Sequence, residues 1–303
     1  MIPFPPQAPG ETNPIWTGRG FQIGGPTVAS VLSYGENQSG WNDDLTLLHE
    51  GNAGSMHFID LASRAHTLSE MRHWLPAVEQ PVVMDIGCSS GFMIREYRDH
   101  LPGSVVIGAD IVRGPLERLA ARMPDVPLLH FDLVKCPLPD ACLDGISLLN
   151  VLEHIKDDQT ALKQVYRILK PGGVAIIEAP AAPSLFDAYD RLLMHYRRYV
   201  LRDLVKLSCA TGFTVVTHSH LGVFLYPGFW LVKKKNRLLD ALQPRRSIEE
   251  RTHKDKIITA QEIRTTGGNP FFQWLMKMEI SLGKGIAYPF GIRCLLTLVK
   301  AAI

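Results

Sequence analysis

The sequence predicts an α/β protein built on a doubly wound, mainly parallel sheet. Five short apolar runs, at residues 82–86, 105–109, 128–131, 146–149 and 174–177, are of the unbroken kind that forms strands buried on both faces. Helical segments lie between them, and strands alternating with helices pack as right-handed crossovers on two sides of one sheet. The third observation is the segment PVVMDIGCSSGFM at residues 81–93, where a buried strand ends in an acid and turns through Gly87 and Gly91 into a helix. Such a turn brings backbone N–H groups and a helix N-terminus close to a ligand, which marks a cofactor site.

Taken in order, residues 1 to about 55 are rich in Gly, Pro, Asn and Ser and read as an irregular arm. Helical spacing begins near Ile59 and continues through Leu61, Ala65, Leu68, Met71 and Leu75 until Pro76 stops it. The regular alternation follows. Its clearest helix covers 157–169, with Leu162, Val165 and Leu169 on one face and Pro171-Gly172-Gly173 at its end. A sixth strand fits 213–218, after a helix closed at Thr211-Gly212, and a seventh fits 292–299. Between these two lies a connection long enough to be functional.

That connection is uneven: an apolar stretch at 221–232 meets Lys233-Lys234-Lys235, a polar stretch spans 245–268, and an aromatic helix-like segment spans 271–286. It reads as a helical cap over the sheet edge. The alternative is a peripheral membrane contact through 221–237, with apolar side chains among lipid headgroups and lysines against anionic lipid. The division expected is therefore an arm and cap helix at 1–75, a cofactor-binding core at 76–220, a helical insertion or lid at 221–289, and a final strand at 290–303.

The bulk properties narrow the partners. A net charge of +2 over 303 residues gives no general case for nucleic acid, which shows as a strongly basic domain or stripe. Five scattered cysteines without a C-x-x-C pair read as free thiols in a reducing compartment. The first residues lack the basic and apolar regions of a signal peptide, and no apolar run is long enough to span a bilayer. A cytoplasmic protein is expected, with membrane association as the variant.

The expected strand ends carry chemistry. After the first come Asp85, Gly87, Cys88, Ser89 and Gly91; the second ends in Asp110 and Ile111; after the third stand Asp132 and Leu133; after the fourth stand Asn150, Val151, Glu153 and His154. A doubly wound sheet binds its ligand at this edge. The glycines sit four apart, whereas the dinucleotide fingerprint wants its last glycine where Phe92 stands, which disfavours a nicotinamide oxidoreductase. The loop also satisfies G-x-S-x-G with Ser89 as nucleophile, but a hydrolase elbow needs several strands ahead of it.

On VVMDIGCSSG, GADIV, HFDL, LDGISLLNVLEHI and LKQVYRILKPGGVAIIEAP, at about 82–180, the chain resembles class I S-adenosylmethionine-dependent methyltransferases, of the type 11-like kind. The resemblance continues less specifically through HYRRYVLRDLVKLSCATGFTVV. It implies a Rossmann-like sheet of seven strands, the last antiparallel, with a helical insertion before it. S-adenosyl-L-methionine is the cofactor implied. The loop Asp85, Gly87, Cys88, Ser89 and Gly91 would hold its methionine portion. Asp110, with Ile111 beside it, would take the ribose hydroxyls, Asp132 the adenine amino group and Leu133 the ring. Asn150 and Val151 would line the floor beneath the sulfonium. Ser89 stands where the family usually has glycine.

A sulfonium methyl is already activated, so the protein must align a nucleophile behind it and take a proton only where the nucleophile carries one. His154 is the expected base, with Glu153 and His195 in the same catalytic set. The Glu153-His154 pair is also similar to a subset of the superfamily, the ubiquinone-pathway O-methyltransferases and small-RNA 3′-end methyltransferases, in which such a pair binds a metal with further ligands. Asn150 departs from the RNA-modifying pattern, and no resident metal is expected here. Tyr196 and Arg197, in a basic and aromatic stretch after the fifth strand, are candidate substrate contacts, and His57 belongs to a candidate lid. The acceptor expected is a small molecule, sugar or lipid-linked intermediate, with an oxygen or nitrogen accepting the methyl group. A cofactor-binding protein without turnover is the main alternative.

Overall fold

The computed structural model describes residues 2–25, 28–35, 46, 57–242, 269–283 and 286–302. The five apolar runs form β5 (Val82–Ile86), β6 (Val105–Asp110), β7 (Leu128–His130), β8 (Leu143–Leu149) and β9 (Leu169–Pro180). β10 (Thr214–Leu221) and β11 (Arg293–Val299) complete the expected seven. The main sheet has the order β10-β11-β9-β8-β5-β6-β7-β4. β11 runs antiparallel to both β9 and β10, as expected.

The eighth strand, β4 (Leu32–Ser33), comes from the N-terminal arm and pairs in parallel with β7 through Leu32 and Leu129. Three more two-residue strands, β1 (Ile15–Trp16), β2 (Phe21–Gln22) and β3 (Val28–Ala29), make a separate small sheet. Reading the arm as outside the core is corrected by burial: Ile2, Phe4, Phe21 and Leu32 belong to the same hydrophobic cluster as β5 and β8. Two-residue strands have no periodicity, so their apolar residues look isolated in the sequence.

Helices cover both faces of the sheet. One face receives α1 (Phe58–Trp74), α2 (Phe92–His100) and α3 (Arg113–Arg122) through Met71, Ile94, Tyr97, Leu116 and Leu119, all fully buried. The other receives α4 (Asp158–Ile168) and, beyond the short helix α5 (Ala188–Leu192), α6 (Leu201–Ala210), through Leu162, Val165 and Leu204. α4 stops at Ile168, before the glycines, because Leu169 is extended and already pairs with Leu143. Residues 195–199, the basic and aromatic stretch, form the link between α5 and α6.

The connection between β10 and β11 contains α7 (Tyr226–Leu242) and α8 (Pro270–Gly283), and its polar middle at 245–268 lies outside the described residues. α8 packs onto α1, where the Phe58 and Phe272 rings lie 5.2 Å apart. Glu279 of α8, fully buried, accepts backbone N–H bonds from Gly222 (2.6 Å), Val223 (3.1 Å) and Phe224 (3.2 Å). One carboxylate thus satisfies three donors that precede α7. No helix among the described residues is long and apolar enough to cross a membrane.

Candidate active site

β5 pairs with β6 on one side and with β8 on the other, so the chain reverses its winding at β5. The loops after β5, β6, β7 and β8 therefore line one edge of the sheet, around a topological switch point. The glycine turn is built by backbone geometry. Gly91, at φ 77°, caps α2, and Ser89 also has positive φ, at 45°. A Cβ at Gly91 would lie 2.6 Å from Leu119 Cδ1, and one at Gly87 would lie 2.4 Å from Val151 Cγ2. Only a chain without side chains at these two positions passes so close to α3 and to the loop after β8.

Asp110 ties two loops together. Its Oδ2 accepts the Ser89 N–H at 2.9 Å and its Oδ1 accepts the Val112 N–H at 2.9 Å. A carboxylate accepts more than one hydrogen bond per oxygen, which is the chemistry a ribose diol requires. Ile111 is exposed beside it, and Asp132 is half-buried with its Oδ1 accepting the Val134 N–H at 3.0 Å. Leu133 is buried. Cys88 is also buried, next to the Gly108 position of β6; its N–H donates to the Ala109 carbonyl at 3.0 Å and its carbonyl accepts the Gly91 N–H at 2.8 Å, which pins the turn. Asp85 lies in the sheet, where Ser147 Oγ donates to its Oδ1 at 2.7 Å. Burial pushes its carboxyl up to about 7, against the Ser147 bond and with help from the Asp110 charge.

After β8, Asn150 takes φ 55°, a left-handed conformation that Asn tolerates. Glu178 holds it there: the Glu178 carbonyl accepts the Asn150 N–H at 3.0 Å, and its Oε1 accepts the side-chain amide at 3.0 Å. Arg293 of β11 donates to the same carboxylate at 2.7 Å and to Asp60 of α1 at 2.6 Å, and Ser63 of α1 donates to it as well. The positioning role of Glu178 was not foreseen, although an acid at the end of the apolar run VAIIEAP is an available signal.

Glu153, His154 and His195 come together. The His154 and His195 rings meet edge to face at 4.7 Å, and one ligand atom from each of the three residues lies within 4.8 Å of the others. Glu153 is 1% exposed, and neither carboxylate oxygen has a hydrogen-bond partner on another residue. Burial pushes its carboxyl up to about 8, against its own backbone N–H; the Glu178 charge adds to the rise, and Arg293 and Arg198 oppose it. His195 Nδ1 lies 3.0 Å from Asp190 Oδ1. Donating that N–H leaves Nε2 with a lone pair. Burial lowers the His195 imidazole below its usual value, although Asp190 pulls the other way.

Asp190 itself is fully buried and also accepts from Arg198 at 2.7 Å and from Lys233 of α7 at 3.1 Å. Lys233, also buried, reaches Asp187 at 2.6 Å. Neither Asp190 nor Lys233 was foreseen in these roles: Asp190 meets His195 and Arg198 across the link after α5, and Lys233 arrives from a helix far along the chain. The candidate substrate residues are placed differently. Arg197 donates to Asp158 Oδ2 at 2.6 Å and to the Lys156 carbonyl, so the fold already uses its guanidinium. Tyr196 is exposed, with its N–H donating to the Glu153 carbonyl at 2.8 Å. His57 precedes α1, stacked on Phe58 at 4.5 Å.

A doubly wound sheet with a glycine turn after its first central strand and acids after the next two defines a domain for a nucleoside-containing cofactor. Its family follows from comparison: residues 84–177 match the family described as "Methyltransferase domain". Residues 84–177 thus carry the methyltransferase domain match, and S-adenosylmethionine is the cofactor of that kind of domain. A protein of Mycolicibacterium smegmatis named a probable S-adenosylmethionine-dependent methyltransferase is 31% identical over 144 residues, 47% of this chain and 54% of that protein. The malonyl-[acyl-carrier protein] O-methyltransferase of Serratia marcescens is 32% identical over 108 residues, 36% of this chain and 42% of that protein. The chain thus spans about half the length of the curated relatives it matches. Among solved structures, phosphoethanolamine N-methyltransferase 2 of Haemonchus contortus in complex with S-adenosyl-L-methionine has a TM-score of 0.51 at 17% identity, over 78% of this chain and 52% of that one. That likeness is one of fold.

The serine-hydrolase alternative lacks its frame. Of the strands ahead of Ser89, only β5 lies inside the main sheet, and β4 is an edge. The Ser89 N–H is engaged by Asp110 at the turn.

Proposed function

We propose that the protein transfers a methyl group to an oxygen or nitrogen of a small-molecule, sugar or lipid-linked acceptor, with Glu153, His154 and His195 on the acceptor side. S-adenosylmethionine, when bound, supplies a methyl group already activated by its sulfonium. In this reading the turn at Gly87–Gly91 holds the methionine portion, the Asp110 carboxylate takes the ribose hydroxyls, and Asn150, held by Glu178, forms the floor. The observation that carries the reading is the Glu153 carboxylate: it is buried and without a hydrogen-bond partner on another residue, beside two histidines at the edge of the switch-point strands. A buried carboxylate left unpaired costs free energy unless a ligand donates to it.

His195, held neutral by burial and oriented by Asp190, offers a lone pair that takes the acceptor's proton as the new bond forms. Glu153, ordinarily protonated in this setting, donates or accepts a hydrogen bond at the acceptor. Binding of S-adenosylhomocysteine by calorimetry tests the cofactor half. Asp110→Ala is expected to weaken binding at least about tenfold, the loss of one charge-assisted contact; unchanged affinity overturns the assignment of Asp110.

A divalent cation held by Glu153, His154 and His195 is the second reading. The three ligand atoms within 4.8 Å favour it, since one carboxylate and two imidazoles are a donor set that zinc and similar ions accept. Full activity after chelation removes it.

A further inference from the structure

The two helices of the connection before β11 share an unusual surface. On α7, Trp230, Leu231, Lys234, Lys235 and Leu238 are all exposed, and at helical spacing they fall on one arc. Phe229 and Lys233 fall on the opposite arc. Lys233 is buried against Asp187 and Asp190, which fixes α7 in rotation and turns the tryptophan side outward. Lys234 Nζ lies 4.7 Å over the Trp230 ring.

α8 repeats the arrangement. Phe272, Met276 and Glu279 face the protein, while Phe271, Trp274, Lys277 and Leu282 are exposed. The two helices are joined at one corner. Glu279 accepts three N–H bonds just ahead of α7, and Tyr288, which follows α8, donates its hydroxyl to the Glu279 carbonyl at 2.7 Å and lies 6.4 Å from the Phe224 ring.

Charge selects the occupant. Among the described side chains of α7 and α8 the only acid is Glu279, which is fully buried. Every charge exposed among the described side chains of the two helices is positive: Lys234, Lys235, Arg237 and Lys277. Tryptophan and phenylalanine interleaved with lysine, with no exposed acid among the described side chains, match the headgroup zone of a bilayer, where the rings sit at the boundary and the cations meet anionic lipid. A second copy of this chain would bring like charges together, which disfavours self-association through these faces.

We propose that α7 and α8 form a docking surface for an anionic lipid bilayer. The surface stands apart from the reaction, and the proposal holds whatever acceptor is methylated. Sedimentation of the full chain with vesicles tests it, using neutral phosphatidylcholine alone and phosphatidylcholine with phosphatidylglycerol. Binding to the anionic vesicles is expected, weakening with added salt. Lys234→Gln with Lys235→Gln reduces partitioning on the order of twentyfold, since each cation near such a surface contributes roughly a fivefold factor. Trp230→Ser with Trp274→Ser reduces it at least about tenfold while cofactor affinity and melting temperature hold, because both rings are exposed. No binding to anionic vesicles, or binding that neither pair of substitutions changes, overturns the proposal. So does a concentration-dependent dimer that the tryptophan substitutions abolish, because a second copy then covers the surface.

Discussion

Three glycines separate the two costs of placing a side chain in the cofactor turn. Gly172 has φ 80° with open space around it, so Gly172→Ala tests the backbone cost alone. That cost is about 1–2 kcal/mol for a left-handed residue with a Cβ. Gly108 lacks the positive φ but is enclosed: a Cβ would lie 2.6 Å from Ile94 Cδ1, 2.7 Å from Leu128 Cδ2 and 3.0 Å from Cys88 Sγ. Gly108→Ala tests the space alone, at about 1–3 kcal/mol for overpacking a filled core. Gly91 combines φ 77° with a Cβ position 2.6 Å from Leu119 Cδ1, on a side chain that is itself fully buried. Gly91→Ala is then expected to cost about 2–5 kcal/mol. At about 2–4 °C per kcal/mol, this lowers the melting temperature by on the order of 10 °C. Urea unfolding gives the three free energies, and titration with S-adenosylhomocysteine gives their effect on the site. Gly91→Ala should weaken binding about tenfold by displacing the turn, whereas Gly172→Ala leaves it unchanged. A Gly91→Ala protein no less stable than Gly172→Ala would refute the reasoning, since Leu119 would then have moved aside at no cost.

Two further outcomes follow from the buried charges. The Glu153 carboxyl is shifted from 4.5 to about 8 by burial, so the folded protein holds a proton that the unfolded chain has released. Stability therefore falls as pH rises between those two values, by up to about 5 kcal/mol, and Glu153→Gln abolishes this loss. Melting curves of chelator-treated wild type and Glu153→Gln that stay parallel from pH 5 to pH 9 would contradict it. Lys233→Met leaves Asp187 and Asp190 buried with one fewer cation, and breaking such a buried pair costs about 3–5 kcal/mol. Urea unfolding measures it, and a loss below about 1 kcal/mol would show that Arg198 suffices for both carboxylates.

The strands and the cofactor turn were legible because their causes are local. A strand buried on both faces must be apolar throughout, as Val82–Ile86 is, and a turn that passes close to Leu119 must omit a side chain, as Gly91 does. The arm was misread because β4 contributes two residues to the sheet, and Leu32 looks like any isolated leucine until it meets Leu129. At the acceptor side, the NVLEH segment drew attention to Glu153 and His154, but nothing near His195 in the sequence shows that Asp190 orients it. Arg197 illustrates the converse: its chemistry suits an anionic substrate, and only the fold shows it engaged by Asp158.

By itself, then, the sequence determined the order of strands and helices from β5 onward, the glycine turn, and the acids at the ends of β5, β6 and β7, each written in a window of a few residues. Tertiary structure alone decided which distant groups meet. It brought His195 beside His154, Glu178 beneath Asn150, and Lys233 of α7 onto Asp190. The physical reason is that a buried charge is stable only when partners arrive from other elements, and those partners are chosen by where the chain returns. The same packing turned Trp230 outward, so the face proposed to meet a bilayer follows from the side of α7 that the buried lysine claims.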